Sequence, residues 1–204
     1  NDFIMRSCLV LTDSPILFKV KTFKKENIKR IKEDWIKIKK AIEKTVDLLV
    51  EFGFNANNLT SQMSIIPIAY FIVKQGDLDE KDKENMRTYL VHALLKQVYG
   101  GQGDQVLAKI RDSLRKEQKN GEKLTYALKS PHFLFDSINE IELPSNKTFK
   151  INNKNLNEML NLDKGPYTFT ILSLLYPNLK YGQVKFHQDH LHPASFFTRA
   201  KLAK

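Results

Sequence analysis

Three features of this chain of 204 residues predict a mainly α-helical, bundle-like fold. Apolar residues recur at steps of three and four through several long segments, which places them on one face of a helix. Gly, Pro and Asn punctuate those segments where helices start and stop. A short β-like run, expected from about Gln183, follows the turn signal Asn178 to Gly182.

Taken in order, Phe3 to Leu11 is an apolar helix ended by Thr12-Asp13-Ser14-Pro15. The strongest helix runs from about Lys25 to Phe52, with Ile28, Ile31, Trp35, Ile38, Ile42, Val46 and Leu49 on one face and Gly53 as its C-terminal cap. Trp35 reads as a core anchor in preference to a base-stacking platform. Asn58 or Thr60 can cap a helix from Ser61 to Lys74, which Pro67 either kinks or starts late. After the break at Gly76 to Asp79, a helix over Glu80 to Tyr99 turns Met86, Tyr89, Leu90, Ala93, Leu94 and Val98 inward, with His92 beside them as a structural histidine.

Gly100-Gly-Gln-Gly-Asp104 lacks the Lys-Ser/Thr ending of a phosphate loop and follows a helix, so it reads as a break. Asp104 is expected to cap a helix over Gln105 to Gln118 with Val106, Leu107, Ile110 and Leu114 inward. Glu122 to Leu128 suggests a shorter helix, and Lys147 to Ile151 a short strand. Asn153 or Asn155 can cap a helix through Leu160. Gly165-Pro166 opens a last apolar helix that Pro177 ends, with Pro166 suited to a first turn.

The apolar fraction of 42% and charged fraction of 27% are those of an ordinary globular chain long enough for a real core. One cysteine, Cys8, excludes an internal disulfide framework and fits a reducing cytoplasm. No signal peptide is expected, since Asp2, Arg6 and Asp13 interrupt the first apolar run. The longest apolar stretch, Met63 to Val73, is too short for a bilayer, so no membrane partner is expected. Serine or cysteine nucleophile chemistry is disfavoured: Cys8 sits in an apolar helix and no Gly-x-Ser-x-Gly elbow occurs.

The net charge of +10 is unevenly placed. Between Lys19 and Lys44 there are eleven Lys/Arg against four acids, so this segment carries +7 of the total. Lys24, Lys25, Lys29, Arg30 and Lys32 are the DNA-binding candidates, because clustered cations attract phosphate. The other reading of the same residues is a solvated helix face.

Near the C-terminal end, His187, Asp189, His190 and His192 fall within six positions of the run Val184-Lys-Phe-His-Gln-Asp-His-Leu-His-Pro193. Phosphodiester hydrolysis needs a base with pKa near neutrality and a hard cation to stabilise the departing oxygen, and histidine with carboxylate can supply both. A zinc site from His187, Asp189 and His192, and a polar surface segment with no chemistry, are the alternatives.

The segment Asp2 to Thr12, the Trp35-centred helix, Thr45 to Asn55, Asn58-Leu-Thr-Ser-Gln62 and Ile66-Pro-Ile-Ala-Tyr70 resemble the helical middle of GmrSD-type modification-dependent restriction endonucleases, and His190-Leu-His-Pro193 matches the His-x-x-Pro signature of their nuclease domain. The likeness is strongest over residues 2–75 and 181–197. It implies a ParB-like nucleotide-hydrolysing N-terminal region, an HNH (ββα-metal) C-terminal nuclease, and cleavage of modified or foreign DNA with Mg²⁺ or Mn²⁺. Under it, His190 is the general base, Asp189 a metal ligand, and His187 and His192 accessory positions. It also implies that this chain is an incomplete piece: nucleotide would bind only in the missing N-terminal domain, the missing ligand-bearing helix would complete the HNH motif, and the rest of the same polypeptide is a partner. The expected organisation is a helical domain over 1–129, further helices and irregular chain over 130–180, and the start of the HNH-like motif over 181–204. The alternative function is a non-catalytic helical module that docks DNA or protein.

Overall fold

A computed structural model of the chain describes residues 2–56, 58–120, 123–163 and 165–176. Among the described residues the class is as expected: mainly helical, 62% helix with eight α-helices, and one two-stranded antiparallel sheet. The order is α1 (Asp2–Leu11), α2 (Lys25–Glu51), α3 (Ile66–Val73), α4 (Glu80–Leu95), α5 (Gly103–Leu114), β1 (Arg115–Asn120), β2 (Lys123–Leu128), α6 (Phe135–Asn139), α7 (Asn153–Leu160) and α8 (Pro166–Leu175). Among the described residues no helix is long and apolar enough to cross a membrane.

The hub is α3. Ile66 through Phe71 are all buried, as a helix that is apolar all round must be, and α1, α2 and α5 each touch it. Pro67 lies in its first turn, after a 3₁₀ turn over Gln62–Ile65, so the proline marks a late start and not a kink. Residues beyond 130 join the same core: Phe133 packs edge-on against Phe71 at 5.3 Å, and Phe149 lies 5.8 Å from Tyr89.

Helix α2 ends as Gly53 suggests. With φ +84°, Gly53 adopts the left-handed conformation, and the Phe54 and Gly53 N–H groups donate to Leu49 O and Val50 O. Its buried face differs from the expected stripe. Ile38 and Leu49 are buried, but so are Ala41, Thr45 and Leu48, while Ile28, Trp35 and Val46 are exposed. The buried face is thus turned by about 70° from the apolar stripe at 3.6 residues per turn. Small Ala41 suits close packing, and the Thr45 hydroxyl is satisfied within the helix by donating to Ala41 O at 2.7 Å. Trp35 is therefore not a core anchor: it is 44% exposed.

The region after α5 departs most from expectation. The helix stops at Leu114, four residues before the expected Gln118, and where a helix was expected over Glu122 to Leu128 the described residues Lys123–Leu128 form a strand. β1 and β2 pair in register from Arg115↔Leu128 to Asn120↔Lys123. Arg, Lys, Glu and Gln are good helix formers, but propensity is a weak prior against tertiary contacts. Here Arg115 bonds Asp13 and Asp112 and stacks over the Tyr126 ring at 3.8 Å, and Lys74 donates to Tyr126 O at 3.2 Å.

Three smaller corrections arise where side chains find partners other than the expected ones. Lys147 to Ile151 is not a strand; Phe149 is plugged into the core while Lys147 donates to the carbonyls of Val98 and Gly100. Asp104 does not cap α5 but accepts from Arg6 Nε at 2.9 Å and from the Phe18 N–H at 3.0 Å. Asn58 caps no helix; it accepts from the Asn55 N–H and donates to Gly53 O, closing its own loop. Farther on, Asn152 caps α7 and Asn155 supplies the reciprocal bond, a capping box set one residue earlier than Asn153. The β element expected near Gln183 lies outside the described residues.

Candidate nucleic-acid interface and the His132 cleft

The α2 helix brings the five basic candidates together. Lys24 is its N-cap residue and Lys25, Lys29, Arg30 and Lys32 follow on its first half, all exposed. The first fully buried residue of α2 is Ile38, so the half that carries these cations covers little core. Lys24 makes no side-chain cap bond, which leaves N–H groups of the first turn without that partner. The positive end of the helix dipole therefore adds to two adjacent lysines, with Glu26 the acid of the first turn that partly offsets it. Such a terminus favours phosphate oxygens.

The ion pairs along α2 do little to neutralise it. Lys29 approaches Glu33 at 3.8 Å, Lys37 approaches Asp34 at 3.4 Å and Lys39 approaches Glu43 at 3.7 Å, all between well-exposed side chains. Exposed pairs of this kind contribute about 0–1 kcal/mol and give way to a stronger anion. Beside them lie Ile28, Trp35 and Ile36, the last 69% exposed.

The four residues of the C-terminal run, His187, Asp189, His190 and His192, lie outside the described residues. Of the described histidines, His92 is structural as expected: half-buried, with Nδ1 at 2.8 Å from Phe149 O and its ring against Phe135 at 5.0 Å.

His132 is the residue that sequence reasoning passed over. It lines a cleft of about 570 Å³ between the end of α5, the segment after β2 and α6, with Lys109, Ser113, Lys129 and Ser137 around it and Ile138 as part of the apolar wall. Its Nδ1 is 3.2 Å from Asp82 Oδ2 and 3.9 Å from Asp77 Oδ2. Asp82 is buried, and its other oxygen accepts the Phe133 N–H at 2.7 Å. Asp79, the N-cap of α4, accepts the Asp82 N–H at 2.7 Å, and that bond holds its own carboxyl below the usual carboxylate range. Asp79, Asp82 and His132 are the right ligand types for a divalent metal, with ligand atoms within 4.8 Å of one another. Each carboxylate nevertheless has a structural role: one caps α4, the other fastens Phe133 to it. The Asp77-Leu-Asp79-x-x-Asp82 spacing is visible in sequence, but the histidine that completes the cluster is fifty residues away.

The hydrogen bond to Asp82 raises the His132 pKa, assisted by the charges of Asp82, Asp77 and Asp79 and opposed by partial desolvation. Because the folded value lies above the ordinary 6.5, this contact stabilises fully below that pH and is lost as pH rises through the raised value. An NMR titration of the imidazole should give a midpoint above 6.5 that falls toward it in Asp82→Asn, which keeps the acceptor for Phe133. A midpoint unmoved by that substitution would contradict the assignment.

No protein-family model matches the chain, and no curated protein matches it.

Proposed function

We propose that the described helical domain is a DNA-docking module whose contact surface is the first half of α2. The observation that carries this reading is the arrangement of Lys24, Lys25, Lys29, Arg30 and Lys32, all exposed at the positive end of a 27-residue helix. The buried residues of α2 begin at Ile38, so the five side chains are spared from packing duties and available to a phosphate backbone. Phosphate contact positions a protein on DNA without reading its sequence, which is the role expected of a docking element. Fluorescence anisotropy with a labelled duplex at low salt tests it: binding should be saturable and weaken steeply as salt is added. Absence of binding at low salt would sink the reading.

The run His187 to Pro193 favours a second, enzymatic reading that the docking surface would serve. In it the whole protein is a GmrSD-like endonuclease that hydrolyses DNA with Mg²⁺ or Mn²⁺, Asp189 binding the metal and His190 taking the proton of the attacking water. The full-length protein carrying this chain should then cut DNA only with a divalent metal, and His190→Ala should lower the rate by at least about a hundredfold, the lower end of what a general base contributes. Cutting at the wild-type rate by that variant would end the nuclease reading and leave docking untouched.

A further inference from the structure

The α2 surface holds one side chain that phosphate contact does not use. Trp35, the only tryptophan in the sequence, sits 44% exposed on the flank of α2 because the buried face is turned away from it. On a helix its outward neighbours are the residues three before and four after, Lys32 and Lys39, both exposed. An indole left half in water is a poor use of a large apolar side chain. Placed between two cations within a segment of net charge +7, it suits a partner that is anionic and carries flat apolar faces. A basic groove or ridge with an aromatic platform is the chemistry that holds unpaired nucleotides, since phosphates meet the cations and a base stacks on the ring. Duplex DNA offers the phosphates but keeps its bases stacked inside.

We infer that Trp35 stacks on an unpaired base, so that this surface favours single-stranded or locally opened DNA over intact duplex. The inference rests on the DNA-docking reading and names its substrate class. Lys32 and Lys39 hold the strand on either side of the stacked nucleotide.

Because the chain has a single tryptophan, its intrinsic fluorescence reports on this residue alone. The probes are a twelve-nucleotide oligo-dT and a twelve-base-pair duplex, titrated at low salt with both intrinsic emission and anisotropy recorded. Oligo-dT should quench the emission saturably. Trp35→Ala should weaken oligo-dT binding about five- to 150-fold, the range of one base–aromatic stack, with duplex binding changed less than about twofold. Trp35→Phe should retain most of the oligo-dT affinity, and circular dichroism should show both variants folded. Oligo-dT binding with unchanged emission, or equal affinity in wild type and Trp35→Ala, would overturn the stacking inference while duplex binding kept the docking reading alive. Failure of both probes to bind would overturn both.

Discussion

Asp13→Ala should destabilise the fold by about 3 kcal/mol, the low end of the cost of breaking a buried ion pair from one side, since this pair is partly buried. For a chain of this size that lowers the melting temperature by on the order of 10 °C. Asp13 follows α1 in the left-handed conformation, φ +56°, which Asp tolerates better than most residues. There its carboxylate receives the Tyr70 hydroxyl at 2.7 Å, the Arg115 Nη1 at 2.9 Å and the Lys74 ammonium. Asp13 and Arg115 side chains are each 12% exposed, so water replaces little of what is lost. Burial and the adjacent Asp13 carboxylate push the Tyr70 hydroxyl pKa far up, keeping it a donor at any physiological pH. Removing the carboxylate leaves two cations and a hydroxyl facing one another, with Arg111 already buried nearby and its Nε without a hydrogen-bond partner among the described residues. The same change should loosen the hairpin first, because Lys74 and Arg115 both also hold Tyr126. Hydrogen exchange should speed up in 115–128 before the α3 amides respond. A stability loss under about 1 kcal/mol would mean that the network is worth no more than a surface pair.

The second large effect concerns binding. Replacing Lys24, Lys25, Lys29, Arg30 and Lys32 together by alanine removes five positive charges from the exposed half of α2. Each phosphate neutralised contributes about 0.9 to the slope of log affinity against log salt. If all five side chains contact phosphate, the variant should lose a slope of about four to five, so that the wild type's advantage in duplex affinity should shrink several hundredfold between about 50 and 200 mM salt. Alanine is a better helix former than lysine or arginine, so the variant should keep its helix and its melting temperature. A slope unchanged within about one would assign the salt dependence to another surface, of which the exposed Lys116 and Lys119 of the hairpin are the nearest rival in charge.

The fold was legible where apolar periodicity and punctuation agreed. Met86, Tyr89, Leu90, Ala93 and Leu94 are inward on α4, and Val106, Leu107, Ile110 and Leu114 on α5, as their spacing requires. Gly53 and Pro166 lie where caps and first turns need them. Legibility failed where side chains answer to residues far away in sequence. β1 is charged and helix-prone, and its first residue, Arg115, bonds Asp13, about a hundred residues earlier. The sequence signal for that hairpin was the Asn120-Gly121 dipeptide, a pair favoured in hairpin turns. Trp35 was misplaced for a different reason. The apolar stripe of α2 is wider than the face the core covers, and hydrophobicity alone does not say which edge stays dry. The basic patch was readable because charge needs no partner to be seen. The His132–Asp82 cleft was not, since its two halves meet only in three dimensions.

Nuclear magnetic resonance mapping of a short DNA duplex on the isotope-labelled protein tests the docking surface most directly. At low salt the shifted amides should concentrate between Lys24 and Lys37, leaving the hairpin and the His132 cleft unmoved. Shifts confined to 115–128 or to the cleft, with α2 silent, would contradict the account.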